Sequence, residues 1–135
     1  MSMKTVSIGN ASLAKCVARY VEQGYTVSLP VGDAAPYDMI VEKDGAVQRV
    51  QVKTGKLDKG VIYFPAKSNC GRWYKTGETK DYRGKADLFV VYCPQTDKVY
   101  ALPVDSTGLT SVYLRVTMPK NGQRTKVRFA QDYEI

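Results

Sequence analysis

The chain contains no histidine among its 135 residues. Histidine is the side chain most often used for general acid–base catalysis, and it completes most Ser–His and Cys–His nucleophilic pairs. It is also a frequent zinc ligand. Its absence therefore excludes His-based catalysis and His-containing zinc sites from the functions open to this protein.

Cysteine is scarce, and its spacing excludes further classes of site. The three cysteines, Cys16, Cys70 and Cys93, form no Cys-x-x-Cys pair, and an odd number does not suggest a disulfide framework. We therefore expect reduced thiols. Cys16 and Cys93 have apolar neighbours in the sequence, which predicts that both lie in the core.

Long hydrophobic runs are also lacking. Residues 1–10 contain no apolar run of the kind that marks a signal peptide. No later run approaches the length that spans a bilayer. These features predict a cytoplasmic protein with no membrane partner.

The sequence does carry an excess of positive charge. Lysine and arginine number 20 against 13 aspartates and glutamates, which gives a formal net charge of +7. The length and a hydrophobic share of 44% predict one folded domain over residues 1–135. The positive charge favours a polyanionic partner, although a basic surface that is merely solvated would have the same composition.

One helix followed by strands is predicted, as is typical of a mixed α/β domain. Apolar residues recur at three- and four-residue spacing over residues 10–22, with Asn10 or Ser12 as N-cap and Gly24 as the stop. The strand at 87–93 is almost entirely apolar, which predicts a buried central position. The other predicted strands are 25–29, 37–42, 46–53, 61–64, 98–104, 111–117 and 126–130.

A predicted hairpin brings three polar residues together. The Asp-Gly pair at 44–45 predicts a tight turn between the second and third strands. Asp38 lies at the start of the first of these strands. Gln51 and Lys53 are two residues apart near the end of the other, so they share one face and leave Val52 on the opposite, apolar face. We therefore expect Asp38 to meet Gln51 and Lys53 at one end of the sheet.

These residue types suit a divalent cation. Asp38 offers a carboxylate, Gln51 an amide oxygen and Val52 a main-chain carbonyl, and a hard cation such as Mg²⁺ prefers oxygen ligands. Such an ion can polarise a phosphodiester and activate a bound water. Lys53 can then steady the developing charge or orient the attacking water. The spacing alone leaves a second interpretation open, because a Gln and a Lys are common on a solvated strand face.

The same residues carry a resemblance to a known family. Pro36-Tyr37-Asp38 and Gln51-Val52-Lys53-Thr54 resemble the Pro-Asp…(Asp/Glu)-x-Lys signature of the restriction-fold nucleases, one branch of which has Gln at the middle acid. The run over residues 5–105 is similar to bacterial group I intron-encoded homing endonucleases of that fold. The further matching positions are Gly9, Gly24-Tyr25, Leu29-Pro30, Gly32-Asp33, Arg49-Val50, Tyr92-Cys93-Pro94 and Val99-Tyr100.

The resemblance implies a restriction-endonuclease-like α/β core and hydrolysis of both strands of double-stranded DNA. It implies a divalent cofactor, Mg²⁺ or another ion such as Ca²⁺ or Mn²⁺ in its place. It also implies a homo-oligomer, a dimer or a dimer of dimers, that grips a long target. By position, Asp38 is the metal ligand, Gln51 stands in the place of the second acid, and Lys53 is the catalytic lysine.

Leu13 departs from the family pattern. The resembling nucleases carry a Glu on the first helix, four residues after the glycine that is Gly9 here. A leucine can neither bind a cation nor activate water. Two explanations are open: Leu13 is a core residue of a protein that works without the Glu or has lost activity, or it is an introduced change in a nuclease whose natural residue was Glu.

A basic segment at 67–85 has no apolar period and is predicted to be a long loop that contacts DNA. A solvated loop is the alternative, and the same choice is open for the basic residues at 111–128. The candidate DNA-binding residues are Lys56, Lys67, Ser68, Asn69, Arg72, Tyr74, Lys75, Lys80 and Arg83.

Three functions remain in competition. The first is a sequence-specific homing endonuclease. The second is a non-catalytic DNA-binding module on the same fold, which would bind DNA with strong salt dependence and cut nothing. The third is a structure-selective Holliday junction resolvase, which would prefer branched DNA to any linear sequence.

Overall fold

The computed structural model describes residues 2–32, 34–68, 80–108, 110–118, 121–122 and 127–135. One α-helix, α1 (Ser2–Glu22), precedes the strands. Short 3-10 helices lie at Val104–Ser106 and Ala130–Asp132. The strands are β1 (Thr26–Ser28), β2 (Met39–Lys43), β3 (Ala46–Thr54), β4 (Lys56–Asp58), β5 (Val61–Pro65), β6 (Lys67–Ser68), β7 (Lys80–Asp81), β8 (Leu88–Cys93), β9 (Lys98–Pro103) and β10 (Ser111–Arg115).

The strands form one mixed sheet and two smaller antiparallel ones. The main sheet has the order β1-β2-β3-β8-β9, and β3 runs parallel to β8 while the other pairs are antiparallel. A second sheet has the order β10-β5-β4, and β6 pairs with β7. The predicted mixed α/β architecture is confirmed, with β8 as a buried interior strand.

Both faces of the main sheet are covered. Helix α1 packs on one face, where Cys16 and Tyr20 contact the buried residues Met39, Val50 and Val90. The other face contacts the three-stranded sheet through a second cluster of buried side chains, which includes Ile62, Phe64, Tyr82, Phe89, Val91, Cys93, Tyr100, Leu102, Val112 and Leu114. The predicted burial of Cys16 and Cys93 is confirmed. No helix within the described ranges is both long and apolar enough to cross a bilayer.

The hairpin that carries the candidate site has the predicted turn. Lys43 pairs with Ala46, so only Asp44 and Gly45 form the loop between β2 and β3. Their φ angles of 54° and 83° are the two positive values that a type I′ turn requires. The turn fixes the register of β2 against β3, and with it the position of Asp38 relative to Gln51.

Gly55 is where the chain leaves the main sheet for the smaller one. A Cβ atom on this residue would lie 2.7 Å from Cγ2 of Ile62 and 2.9 Å from Cγ1 of Val91. These residues belong to the second cluster of buried side chains. The absence of a side chain at Gly55 therefore lets the backbone pass close to the core directly after Lys53 and Thr54.

The prediction for α1 was right at its end and wrong at its start. The helix begins at Ser2 rather than Asn10, so Asn10 and Ser12 lie inside it and neither caps it. Residues 4–10 are exposed, and an exposed stretch has no apolar period that would reveal it as helix. Ser12 is buried instead, and its Oγ lies 2.5 Å from Oγ1 of Thr54.

Two strand predictions need correction. β4 was missed because Leu57 is its only apolar residue, and one residue makes no pattern. The predicted strand at 126–130 is absent from its described part, 127–130. There Phe129 makes a single bridge to Arg115, and the chain then turns into a 3-10 helix that buries Ala130.

The predicted long loop at 67–85 is closed at its ends by a short strand pair. Lys67 is opposite Asp81, and Ser68 is opposite Lys80. Residues 69–79 lie outside the described part of the chain. The two ends of the segment are therefore held beside each other.

Candidate functional site

The main sheet has an open edge where the last residues of β3 extend past the first residue of β2. β2 begins at Met39, opposite Val50, whereas β3 continues to Thr54. The main-chain N–H of Asp38 donates to the Val50 carbonyl at 2.8 Å. The Val52 N–H donates to Oδ2 of Asp38, also at 2.8 Å. The Asp38 carboxylate therefore takes the place of the missing strand neighbour.

The Val52 carbonyl faces the same open edge. In a strand, the N–H and C=O groups of one residue point to the same side, and the Val52 N–H points to Asp38. This carbonyl accepts a hydrogen bond from Nε2 of Gln51 at 3.3 Å. Within the described part of the chain, no hydrogen bond uses Oδ1 of Asp38. The Asp38 carboxylate, the Val52 carbonyl and the Gln51 amide group are thus gathered at one edge.

A cavity of about 350 Å³ lies between this edge and α1. A neighbouring cavity of about 400 Å³ shares some of the same walls. Asn10, Leu13 and Asp38 line both cavities. Leu13 therefore occupies the position on α1 where the family resemblance places a Glu, facing the same space as Asp38.

Burial sets the electrostatics of Asp38. Desolvation raises the pKa of this carboxyl, and the hydrogen bond from Val52 and the charge of Lys53 oppose the rise. Over the described ranges, no group of three or more Asp, Glu or Cys side chains could hold a metal ion. Among the described residues that line the cavity, Asp38 carries the one carboxylate.

The donor atoms suit a hard cation that is loosely held. They comprise one carboxylate oxygen of Asp38, the main-chain carbonyl of Val52 and, once its amide group is turned so that the oxygen replaces Nε2 at this edge, the amide oxygen of Gln51. Mg²⁺ keeps several of its waters in proteins and often takes only one or two carboxylates. The set therefore fits a divalent ion that retains most of its water, with Leu13 contributing no ligand.

Lys53 does not line this cavity, and its Nζ lies at the base of the basic segment. Its Nζ donates to the hydroxyl of Tyr82 and to the carbonyl of Lys67, both at 3.4 Å. It also lies 4.7 Å from the centre of the Tyr82 ring. Desolvation lowers the pKa of Lys53 to about 8, although the charge of Asp38 acts in the opposite direction.

An ion pair that the sequence analysis missed joins Arg49 of β3 to Asp87, the residue just before β8. The main-chain N–H and Nε of Arg49 donate to Oδ2 of Asp87 at 2.7 and 3.1 Å, and Nη2 donates to Oδ1 at 3.0 Å. Asp87 N–H donates back to the Arg49 carbonyl at 2.8 Å. The parallel register aligns Val50 with Leu88, so the pair could have been found only by knowing that register.

The structure describes some of the candidate DNA-binding residues and not others. Lys67 and Ser68 in β6 lie beside Lys80 in β7. Lys56 is exposed in β4, and exposed Arg83 donates to the Thr107 carbonyl at 3.4 Å. The remaining candidates, Asn69, Arg72, Tyr74 and Lys75, lie outside the described residues.

Comparison with solved structures gives two informative neighbours. One is a bacterial homing endonuclease, I-Ssp6803I, with a TM-score of 0.74 and 25% identity over 96% of this chain and 88% of that chain. The other is Hjc, a Holliday junction resolvase from the archaeal hyperthermophile Archaeoglobus fulgidus. Its TM-score is 0.51 and its identity 12%, over 80% of this chain and 91% of that chain, so this likeness shows the fold alone.

Comparison with curated proteins finds no match. The sequence does match a family description, that of the PD-(D/E)XK endonuclease, over residues 3–135. That span contains the open edge of the main sheet with Asp38, Gln51 and Lys53. The chain therefore belongs to the PD-(D/E)XK endonuclease family.

Proposed function

We propose that this chain is a sequence-specific DNA endonuclease of the homing type that uses a divalent ion, and that Leu13 limits its cutting. Membership of a nuclease family supports DNA as the substrate. The similarity to I-Ssp6803I over 96% of the chain supports the homing type. The observation that carries the proposal is the gathering of Asp38, Gln51 and the Val52 carbonyl at one open edge, opposite Leu13.

Each residue has a distinct part in the proposed chemistry. Asp38, Gln51 and the Val52 carbonyl would hold a divalent ion, of the kind that nucleases of this family generally use. The bound ion supplies polarisation of a phosphodiester oxygen and a lower pKa for water. The Val52 N–H fixes one oxygen of Asp38 and so orients the other. Lys53 supplies positive charge near the phosphate.

A second candidate is a DNA-binding module that does not cut. The observation that favours it is Leu13, which faces the cavity and leaves Asp38 as the one carboxylate among the described residues that line it. In this alternative the basic residues retain DNA binding, while the site lacks the ligands to hold a metal tightly.

Restoring a carboxylate at position 13 tests the proposal. We expect Leu13→Glu to nick linear DNA from a library of candidate insertion sites in Mg²⁺, at a rate roughly 10²–10³ times that of the parent chain. Leu13→Gln is the matched control, because it has nearly the same shape as Glu without the charge. Adding Asp38→Asn or Lys53→Ala to the Glu variant should abolish the gain.

Two outcomes would contradict the homing-type nuclease. If the parent and Leu13→Glu both bind duplex DNA and neither cuts it, the binding module replaces it. If a four-way junction is cut in preference to every linear duplex, a junction resolvase replaces it.

We further infer that the working form is a homo-oligomer. Cutting both strands requires two active sites, and a two-fold symmetric dimer matches a two-fold symmetric DNA site. A longer target would favour a dimer of dimers. Sedimentation of the chain with and without duplex DNA distinguishes these forms, and a monomer on DNA would contradict the inference.

A further inference from the structure

Two residues that flank the undescribed part of the basic segment meet at Lys53. The pairing of β6 with β7 brings the entry and the exit of this segment together. Nζ of Lys53 lies 3.4 Å from the Lys67 carbonyl on the entry side. It also lies 3.4 Å from the Tyr82 hydroxyl on the exit side. The ammonium group thus contacts both ends of the segment at once.

Tyr82 belongs to the core of the protein, although it directly follows β7. Its side chain is 4% exposed, and its ring meets that of Phe89 edge-on, with centroids 5.5 Å apart. Nζ of Lys53 lies 4.7 Å from the Tyr82 centroid and 5.8 Å from the Phe89 centroid. An ammonium over an aromatic ring is attracted by the negative charge of the ring face. One buried side chain therefore holds Lys53 both through its ring and through its hydroxyl.

We propose that Tyr82 is a positioning residue for Lys53 and that it couples the basic segment to the cutting site. The proposal rests on the proposed function, because it assigns Lys53 a part in cutting. Tyr82 adjoins β7, whose Lys80 is a candidate phosphate contact, and β7 pairs with Lys67 in β6. DNA that binds β6 and β7 would shift the Tyr82 ring, and this shift would move the Lys53 ammonium that the ring contacts.

The position of Lys53 can be measured without DNA and without cutting. An aromatic ring displaces the NMR signals of protons held over its face, so the ε-protons of Lys53 should resonate away from the positions of exposed lysines. We expect the displacement in the parent chain and in Tyr82→Phe, which keeps the ring. We expect it to be reduced in Tyr82→Leu. Lys53→Arg identifies the signal by removing it.

The effect on cutting is measured in the Leu13→Glu background. Tyr82→Phe should lower the single-turnover rate about tenfold by removing the hydroxyl contact, while the Kd for duplex DNA stays within twofold. Tyr100→Phe is the matched control. Tyr100 is 2% exposed in the same core cluster, and its hydroxyl bonds Oγ1 of Thr96 at 3.1 Å without touching Lys53. Its rate should match that of Leu13→Glu alone.

The outcomes separate this proposal from the proposed function. An undisplaced Lys53 signal in the parent chain overturns the positioning role, as does an equal loss of rate in Tyr82→Phe and Tyr100→Phe. A change in Kd alone also overturns it. If no variant cuts any DNA, the proposed function fails, and the coupling is decided by adding duplex DNA. The Lys53 signal should then move in the parent chain and move less in Tyr82→Phe, and equal movement in both overturns the coupling.

Discussion

At Asp38, the requirements of the candidate site and of stability are opposed. Burial raises the pKa of this carboxyl above its value in the unfolded chain. The protonated form therefore contributes stability at low pH, and this contribution is lost as the pH rises through the raised, folded-state pKa. At neutral pH the buried charge destabilises the fold, at the position of the proposed cation ligand.

Asp38→Asn should for this reason raise the Tm at pH 7. Asparagine resembles the protonated acid and can still accept the Val52 N–H bond. The gain should shrink below about pH 4, where the acid is protonated in the unfolded chain as well. Thermal melts at both pH values check this, with exposed Asp58→Asn as a control that should leave the Tm unchanged. A lower Tm for Asp38→Asn at pH 7 would contradict the argument.

Gly55 should be intolerant of a side chain. A Cβ atom there would lie 2.7 Å from Ile62 and 2.9 Å from Val91, so Gly55→Ala should lower the free energy of unfolding by roughly 1–3 kcal/mol. Gly9 provides a control of opposite sign, because it lies inside α1 and a Cβ there meets nothing within 4 Å. Gly9→Ala should stabilise by roughly 0.5–1 kcal/mol. Urea unfolding of both variants measures the two effects, and equal signs would refute the assignment of Gly55.

Whether the position of a site residue could be predicted depends on how far it lies along the chain from the residues it meets in the fold. Asp38, Gln51 and Val52 were predicted because one two-residue turn fixes their register. Tyr82, Arg49 and Asp87 were not singled out as site residues, because their positions depend on the parallel pairing of β3 with β8. No local pattern specifies that pairing. The direction of the Lys53 side chain was missed for the same reason.

At the scale of elements, the Arg49–Asp87 pair joins β3 and β8 at the end where their parallel pairing begins. The hydrogen bonds from Arg49 hold the pKa of Asp87 below its value in the unfolded chain. The stability that the pair contributes is therefore present above the unfolded-state pKa and lost as the pH falls through the lower, folded-state pKa. The two side chains are 38% and 39% exposed, so solvent screens the interaction.

Asp87→Asn should lower the free energy of unfolding at pH 7 by no more than about 1 kcal/mol, given this screening. The loss should become smaller at pH 3, below the unfolded-state pKa of about 3.9, because the unfolded chain is then largely protonated at this carboxyl and the lowered pKa of folded Asp87 contributes less stability. Urea unfolding at the two pH values tests this, with exposed Asp105→Asn as the control. An equal loss at both pH values would mean that the ion pair is not its source.

Elements were predicted well where their burial leaves a pattern. The end of α1, the β2–β3 hairpin and the buried strand β8 all carry one. The start of α1 and the strand β4 do not, because the first is exposed and the second has one apolar residue. The pairing of β10 with β5 joins strands far apart in the chain, so the second sheet as a unit was not predictable from local signals.

At the scale of the whole molecule, the net charge of +7 should govern DNA binding. The logarithm of the binding constant should fall linearly with the logarithm of salt concentration, by about 0.9 for each phosphate contact. Replacing both Lys67 and Lys80 with Gln should reduce this slope by about 2. Fluorescence anisotropy over a salt series measures it. Lys43→Gln is the control, because Lys43 lies at the turn end of β2, away from Asp38.

An unchanged slope in the Lys67 and Lys80 double variant would remove β6 and β7 from the DNA interface. A reduced slope in Lys43→Gln would show that charge acts diffusely instead of through defined contacts.

The parallel pairing of β3 with β8 also determines at what stage of synthesis the candidate site can form. Val52 pairs with Val90, and a contact between residues so far apart in the chain forms more slowly than a hairpin. On the ribosome, α1 and the β2–β3 hairpin emerge first, but Tyr82 and Phe89 are still missing around Lys53. A chain that is interrupted before Tyr82 keeps Asp38 and Gln51 but lacks the ring and hydroxyl that Lys53 contacts. The complete candidate site therefore forms late in synthesis, because a fragment released early cannot assemble it.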